Sequence, residues 1–331
     1  MDDGRYSRQE RFAPIGVAGQ ARIRAATVAV VGCGALGAAA ADLLARAGVG
    51  RLRLIDRDIV EASNLQRQGL YDEADAAAGR PKALAAARRI AAINHEVAVE
   101  PVVGELTAAN ACALLAGCAV VCDGADNFPT RHLVNEASRR LGIPWVWAAC
   151  VGAYALSAPF PVDGPCLRCL QDALPDPGQS PTCDSAGIIG PAVQLAAAWQ
   201  VAETLKLLVG DTAAVRRELW ACDLWSGRFQ RIGLGVRDPG CRACGAGADF
   251  PALAAEPEPA VVLCGRDLIQ IRYAPIDLSA LAARLGRPAP EGVVRWRDGG
   301  HGFTAFADGR VLVHGADDPG RARAAADRWL G

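Results

Sequence analysis

The run Gly32-Cys33-Gly34-Ala35-Leu36-Gly37 places glycines where backbone amides can approach a phosphate, and Asp56 follows about 20 residues on, where an acid can hold ribose hydroxyls. This spacing fits a dinucleotide fingerprint, and a tight structural turn would show it too. The default occupant would be NAD, with ATP as the competitor. Further along stand SNLQRQ (63–68), RPK (80–82) and DNFPTR (126–131). They supply Asn64, Arg67 and Lys82 as donors to phosphate oxygens and Asp126 as a hard oxygen ligand suited to Mg²⁺. Phosphoryl or nucleotidyl transfer demands such a set, because charge develops on bridging oxygens; hydride transfer needs none of it. A dehydrogenase of the short-chain type needs a tyrosine with a lysine four residues later, and none of Tyr6, Tyr71, Tyr154 or Tyr273 has one. The four histidines have no evident catalytic context. Lys82 and Lys206 are the only lysines in a chain otherwise served by arginine, which marks Lys82 as a position arginine does not fill. The plainer alternatives are a solvated lysine for Lys82 and a helix cap for Asp126.

Cysteine carries a second kind of chemistry. Cys166-Leu-Arg-Cys169 and Cys241-Arg-Ala-Cys244 are two CxxC knuckles in turn-rich surroundings, and thiolates at that spacing can meet a tetrahedral Zn²⁺ from two directions. Such a site has no open position, so its role would be structural, the alternative being a redox dithiol. Cys183 stands alone in PDPGQSPTCDSAG (175–187), ahead of a helix whose N-terminus could lower its pKa; it is either a reactive thiol or an incidental loop cysteine. Cys33, Cys112, Cys118, Cys122, Cys150, Cys222 and Cys264 lie in apolar runs and read as small core residues.

The elements that must position these groups are legible from periodicity. Residues 27–31 (TVAVV) form a β-rich run ahead of the glycine turn, an alanine-rich helix follows to Gly48, and 51–55 (RLRLI) ends at Asp56 as the second strand of a βαβ unit. Helices over 83–93 and 109–115 alternate with strands over 97–103 and 119–122, which favours a parallel sheet covered on both faces. Residues 145–160 look strand-like, 188–209 form a long buried helix, and 218–232 form a hairpin. AAEPEPA (254–260) looks like a linker. Beyond it come a strand (268–273), a helix (278–285), three strands (293–296, 303–307, 310–314) with an Asp308-Gly309 turn, and a helix from Pro319.

Composition narrows the class. The 331 residues carry 35 basic and 36 acidic side chains, so no basic footprint for nucleic acid or an anionic membrane is present. Asp42 and Arg46 interrupt the longest N-terminal apolar stretch, and Gln194, Gln200, Glu203 and Lys206 interrupt the later one, so neither reads as a membrane span. A charged N-terminus without a hydrophobic region argues against a secretory signal and for the cytoplasm, where disulfides are disfavoured.

Taken in order, RYSRQ (5–9), GxGxLG, DRD (56–58), SNLQRQ, RPK, DN with Arg131, PCLRCL, TCDSAG and CRACG resemble the ThiF/MoeB/HesA family, the bacterial relatives of ubiquitin-activating enzymes, over roughly residues 5 to 246. The resemblance implies a Rossmann-like α/β fold: a mixed, mostly parallel sheet with helices on both faces, here over 1–250, then a linker (251–260) and a small α+β module (261–331). It implies binding of ATP·Mg²⁺ and adenylation of the C-terminal glycine carboxylate of a ubiquitin-fold sulfur-carrier protein, with pyrophosphate released and the adenylate later converted to a thiocarboxylate. By that pattern the nucleotide site comprises Gly32, Gly34, Ala35, Gly37, Asp56, Asp58, Ser63, Asn64, Leu65, Gln66, Arg67, Lys82, Asp126 and Asn127. Within it Asp56 would hold ribose, Asn64 and Arg67 the phosphates, Lys82 the α-phosphate region and Asp126 the metal. Arg8 matches an arginine that reaches the partner's site across a homodimer, and Cys183 a cysteine implicated in thioester or persulfide chemistry. The carrier's tail should be uncharged and end in Gly-Gly, since an adenylation groove must admit a thin extended peptide. Two departures stand out. Ala35 replaces a glycine of the family's run, and the tail lacks a rhodanese loop, so a separate sulfur donor (a cysteine desulfurase or rhodanese) is expected. Adenylation of a peptide or of tRNA, an oxidoreductase and a non-catalytic scaffold are the competing readings.

Overall fold

In a computed structural model, residues 4–172, 183–256, 260–262, 268–287, 290–316 and 318–330 are described, with side chains outside 183–184, 260–262 and 290. The chain divides into two compact units, Met1–Cys183 with Gly187–Ala255, and Asp184–Ala186 with Glu256–Gly331. Two helices not anticipated from periodicity open the first: α1 (Ser7–Glu10) and α2 (Gly16–Ala25). The inward face of α2 is Gly19, Gln20 and Ile23, too polar and too small to leave an apolar stripe.

β1 (Thr27–Val31) then leads through the glycine turn into α3 (Ala35–Ala47), and β2 (Arg51–Asp56) completes the βαβ unit. After α4 (Glu73–Ala78) and α5 (Lys82–Ile93) come β3 (Ala98–Val103), α6 (Ala111–Leu115), β4 (Val120–Asp123), α7 (Phe128–Leu141) and β5 (Trp145–Val151). The stretch read as one extended segment folds back at Gly152 and Ala153, so β6 (Tyr154–Phe160) lies antiparallel to β5. Short helices α8 (Leu167–Leu170) and α9 (Cys183–Ala186) precede the long α10 (Gly190–Val209), and the expected hairpin is β7 (Glu218–Asp223) with β8 (Arg228–Gly233). Strand order is β3-β2-β1-β4-β5-β6-β7-β8. The first five strands pair in parallel and the last three antiparallel.

Alternation along β1 explains why the sheet needs cover on both sides. Val28 and Val30 enter one core with Leu44, Leu52, Leu54 and Ile90. Ala29 and Val31 enter the other with Ile55, Leu115, Val121, Val134 and Trp145. Each fully buried valine contributes roughly 1.5–3 kcal/mol. α10 packs on α3, β5 and β6, and its Gln200 amide donates to the carbonyls of Asp123 (2.8 Å) and Val146 (2.7 Å), tying it to β4 and β5. Of the cysteines read as core, Cys33, Cys118, Cys122 and Cys150 are buried; Cys112 and Cys222 are only half-buried, and Cys264 lies outside the described residues.

The second unit contains β9 (Ala260–Val262), β10 (Leu268–Arg272), α11 (Leu278–Leu285), β11 (Val293–Asp298), β12 (His301–Phe306), β13 (Arg310–His314) and α12 (Pro319–Leu330). Its antiparallel sheet has the order β11-β12-β13-β10-β9, and Ala260, read as the end of the linker, begins its edge strand. Ile269, Ile271, Leu281, Val294, Phe303, Val313 and Ala326 form its own core, with Trp296 stacked on Phe303 at 4.9 Å.

Glycine is required where α3 leaves β1. A Cβ on Gly37 would lie 1.7 Å from the Gly32 carbonyl oxygen, and one on Gly124, at the end of β4, 2.5 Å from the same atom. Gly34 has open space, the nearest atom to such a Cβ being Gln68 Nε2 at 4.0 Å. Gly37→Ala therefore destabilises the protein by about 3 kcal/mol or more, whereas Gly34→Ala stays within about 1 kcal/mol of the parent. Urea unfolding followed by circular dichroism checks both.

Candidate functional site

The carboxyl ends of β1, β2 and β4 meet where the strand order reverses, the crevice in which open α/β sheets bind ligands. Two backbone bonds stitch these ends together, Gly32 N–H to the Ile55 carbonyl (2.8 Å) and Gly124 N–H to that of Val31 (2.7 Å). Asp56 fixes the turn itself: one carboxylate oxygen accepts the Cys33 N–H and the other the Asp58 N–H, both at 2.6 Å. Burial pushes the Asp56 carboxyl up, Lys82 opposes the shift and Asp58 adds to it. Lys82 opens α5, is almost wholly buried, and sets its Nζ 3.2 Å from Asp58. It is not a solvated surface lysine.

Asp126 is not the helix cap. Asn127 caps α7, accepting the Thr130 N–H at 2.9 Å and donating to Asp126 at 2.9 Å, so the Asp126 carboxylate stays exposed at the mouth of the crevice. Arg131, one turn on, braces this corner. It pairs with the buried Asp123 (3.3 Å), donates to the Ala125 carbonyl (2.9 Å) and lies over the rings of Phe128 and Trp147. Burial pushes Asp123 up to about 6, with Arg131 opposing.

The 63–68 segment is less open than its motif implied. Asn64 is buried, its Oδ1 accepting from Glu61 N–H (3.2 Å) and its Nδ2 reaching Ser63 Oγ at 3.4 Å. Arg67 is half-buried and donates to the Ser63 carbonyl (2.9 Å), Leu65 packs on the core, and Gln66 is exposed. Gln68, Tyr71 and Gly124 escaped the sequence reading. Gln68 is buried beside Gly34 with its Oε1 lacking any partner. Tyr71 donates to the Cys33 carbonyl at 2.6 Å. Gly124 sits in the DGADN run at the end of β4, and that strand-end position is the signal that could have found it.

Arg8 is not brought to this crevice. It lies exposed on α1, whose neighbours Gln9 and Tyr6 bond to the Ala47 carbonyl and to Asn94, at the far end of α3 and α5. A helix the length of α3 spans about 20 Å, so within one chain Arg8 and the glycine turn stand at opposite ends. Cys183 is the first residue of α9, and its side chain is outside the described residues.

The knuckles do converge. Sγ atoms of Cys166, Cys169, Cys241 and Cys244 all lie within 4.8 Å of one another, with Cys166 to Cys241 at 3.6 Å and Cys169 to Cys244 at 3.4 Å. A tetrahedral dication at ~2.3 Å from each sulfur sets them ~3.8 Å apart. Burial pushes the Cys166 thiol up to about 11, and a dication in the centre would favour its thiolate. Residues on α7 hold the cluster in place. Asn135 accepts the Leu167 N–H (2.9 Å) and reaches Cys166 Sγ (3.6 Å). Glu136, fully buried, pairs with Arg168 at 2.6 Å and accepts the N–H groups of Ala252 (2.8 Å) and Leu253 (3.0 Å).

Strand order, glycine turn and acid at the end of β2 define a nucleotide-binding α/β domain, to which a four-thiol centre capable of holding a metal has been added. The chain belongs to the ThiF family, whose model matches residues 6–243. It is 44% identical to the sulfur carrier protein ThiS adenylyltransferase of Bacillus subtilis (strain 168) over 99% of both chains, an alignment that runs through both units. It is 39% identical to the SAMP-activating enzyme E1 of Haloferax volcanii over 73% of this chain and 89% of that protein. The fold is shared with Escherichia coli MccB in its succinimide structure, at a TM-score of 0.65 and 23% identity over 74% of each chain. Among the described residues no helix is long and apolar enough to cross a membrane.

Removing Glu136 takes from the buried Arg168 guanidinium its buried carboxylate partner, leaving only its bonds to Asp172, and leaves the N–H groups of Ala252 and Leu253 without their acceptor. Glu136→Ala accordingly costs about 3–5 kcal/mol, read as a lowered urea midpoint.

Proposed function

We propose that this chain is an ATP-dependent adenylyltransferase of the cytoplasm that activates the C-terminal glycine carboxylate of a ubiquitin-fold sulfur-carrier protein ending in Gly-Gly. The observation that carries the reading is the convergence, at one crevice, of the glycine turn with Asp56, the buried Lys82 and the exposed Asp126. The residues fit a nucleotide: space stands open over Gly34, and the buried Gln68 oxygen beside it has no protein partner. They fit Mg²⁺ as well, since Asp126 offers an accessible carboxylate. Hydride transfer gains no group here.

A carboxylate is a weak nucleophile approaching a polyanion, so the protein's contribution is positioning and charge neutralisation. One carboxylate oxygen forms a bond to the α-phosphorus of ATP as the bond to the bridging oxygen breaks, and the electron pair departs on pyrophosphate. Asp56 orients the ribose, N–H groups at the start of α3 receive phosphate oxygens, and Lys82 and Arg67 bring positive charge to the phosphates. Asp126, with Asn127 capping α7 beside it, would hold Mg²⁺, and the ion when bound would offset phosphate charge. Because Arg8 sits at the far end of α3, its participation requires a partner chain, and a homodimer is part of the proposal. The knuckle cysteines hold a structural Zn²⁺. Cys183 serves the later sulfur step, with sulfur delivered by a separate desulfurase or rhodanese.

ATP–pyrophosphate exchange with purified Gly-Gly-ended carriers tests the reading. Exchange is expected with a carrier, and Asp126→Ala lowers it by about 10²–10³-fold, while Cys183→Ala retains exchange and loses thiocarboxylate formation. No exchange with any such carrier would move the assignment to a peptide or tRNA substrate. Elemental analysis should find one zinc per chain, and chelation should lower the thermal midpoint; metal-free protein of unchanged midpoint would remove zinc from the proposal.

A further inference from the structure

The glycine turn can serve phosphate only if its free N–H groups face the crevice, and its first two amides are already spent. Gly32 N–H bonds to Ile55 and Cys33 N–H to Asp56, while Ala38 N–H returns to the Gly34 carbonyl at 2.9 Å. The Gly34 N–H is left, together with the first amides of α3, which by helix geometry have no intrahelical acceptor. Gly34 is therefore the innermost donor of the turn, and the peptide plane it shares with Cys33 decides where it points. A trans peptide is planar, with its C=O and N–H directed oppositely, so whatever grips the Cys33 carbonyl aims the Gly34 N–H.

Tyr71 grips it. Its hydroxyl donates to the Cys33 carbonyl at 2.6 Å, and its ring is buried in the core that also holds Val30, Leu54 and Leu70. The carbonyl is thus turned into that core, and the Gly34 N–H, in the same planar peptide, points the opposite way; beside it, the place a side chain on Gly34 would take is open, with Gln68 Nε2 the nearest atom at 4.0 Å. Burial keeps the Tyr71 hydroxyl protonated well above the ordinary tyrosine range, so the grip persists across working pH.

We infer that Tyr71 is a positioning residue for nucleotide binding: it touches no substrate, but by holding the Cys33 carbonyl it presents the Gly34 N–H to a phosphate oxygen of ATP. This rests on the nucleotide reading of the crevice. It predicts that the chain uses a hydroxyl outside the glycine motif to preorganise that motif, and that the effect is confined to the nucleotide.

Tyr71→Phe removes the hydroxyl alone. ATP affinity by titration calorimetry, and the KM values for ATP and for the carrier in pyrophosphate exchange, are compared with the parent. Expected is an approximately tenfold weakening of ATP binding and a matching rise in ATP KM, with carrier KM unchanged. A merely structural hydroxyl would lower the thermal midpoint and leave ATP affinity where it was, and that result overturns the inference, as does an equal rise in both KM values. Should Tyr71→Phe fail to fold, exchange of the single Gly34 amide in the unmodified protein, read by NMR, decides instead: protection of that amide on adding ATP supports the inference, and protection confined to the α3 amides, or none, overturns it. If the parent binds ATP but exchanges no pyrophosphate, the adenylation reading falls while the calorimetric comparison still tests Tyr71.

Discussion

Everything at the crevice depends on how closely two pieces of backbone can approach. Gly32, Gly37 and Gly124 meet at distances that admit no side chain, and that contact lets α3 begin directly at the ends of β1 and β4. With the helix pulled in, its first amides lie beside Asp56 and within the reach of groups from β2, α5 and the β4–α7 corner. A single methyl at the crossing would lift the helix off the sheet and separate these groups. The alanines that follow along α3 continue the same theme: Ala38, Ala40, Ala41 and Ala45 are buried, so the helix stays close to the sheet along its length and leaves room for α10 against its other side.

Much of this was legible in the residues because it is local. The strand, turn, helix and acid of the first βαβ unit occur at spacings fixed by backbone geometry, and the paired CxxC spacing constrains sulfur positions as strictly. What escaped has its meaning only in tertiary contact. Tyr71 looks like an ordinary apolar residue until its hydroxyl is seen on Cys33, and Gln68 like the tail of a motif until its oxygen is found buried and unpartnered. Gln20 hides α2 from any reading based on apolar periodicity, since its amide is buried on the Ala47 carbonyl at 3.0 Å. Asp126 and Asn127 show the limit of capping rules: both residue types cap well, and only the fold assigns the cap to Asn127 and frees its neighbour.

Burial and charge explain why the site can be both rigid and reactive. Asp56 and Lys82 are taken almost wholly out of water, which is costly unless each is satisfied, and each is: Asp56 by backbone amides, Lys82 beside Asp58. Asp126 by contrast stays exposed while the cap beside it carries the structural burden. Asp56 and Lys82 thus combine fixing the turn with facing the nucleotide, while Asp126 is left without a capping task.

α7 joins the crevice to the four-thiol centre, and its two ends are fastened independently. Its first turn is held by Asn127 and by Arg131 on Asp123; its later turns hold Cys166, Leu167 and Arg168 through Asn135 and Glu136. The consequence is a form of fault isolation. Damage at the sulfur cluster frays the far half of the helix and the loop it anchors, while the near half keeps its own fastenings, so the molecule loses durability before it loses the arrangement around Asp126.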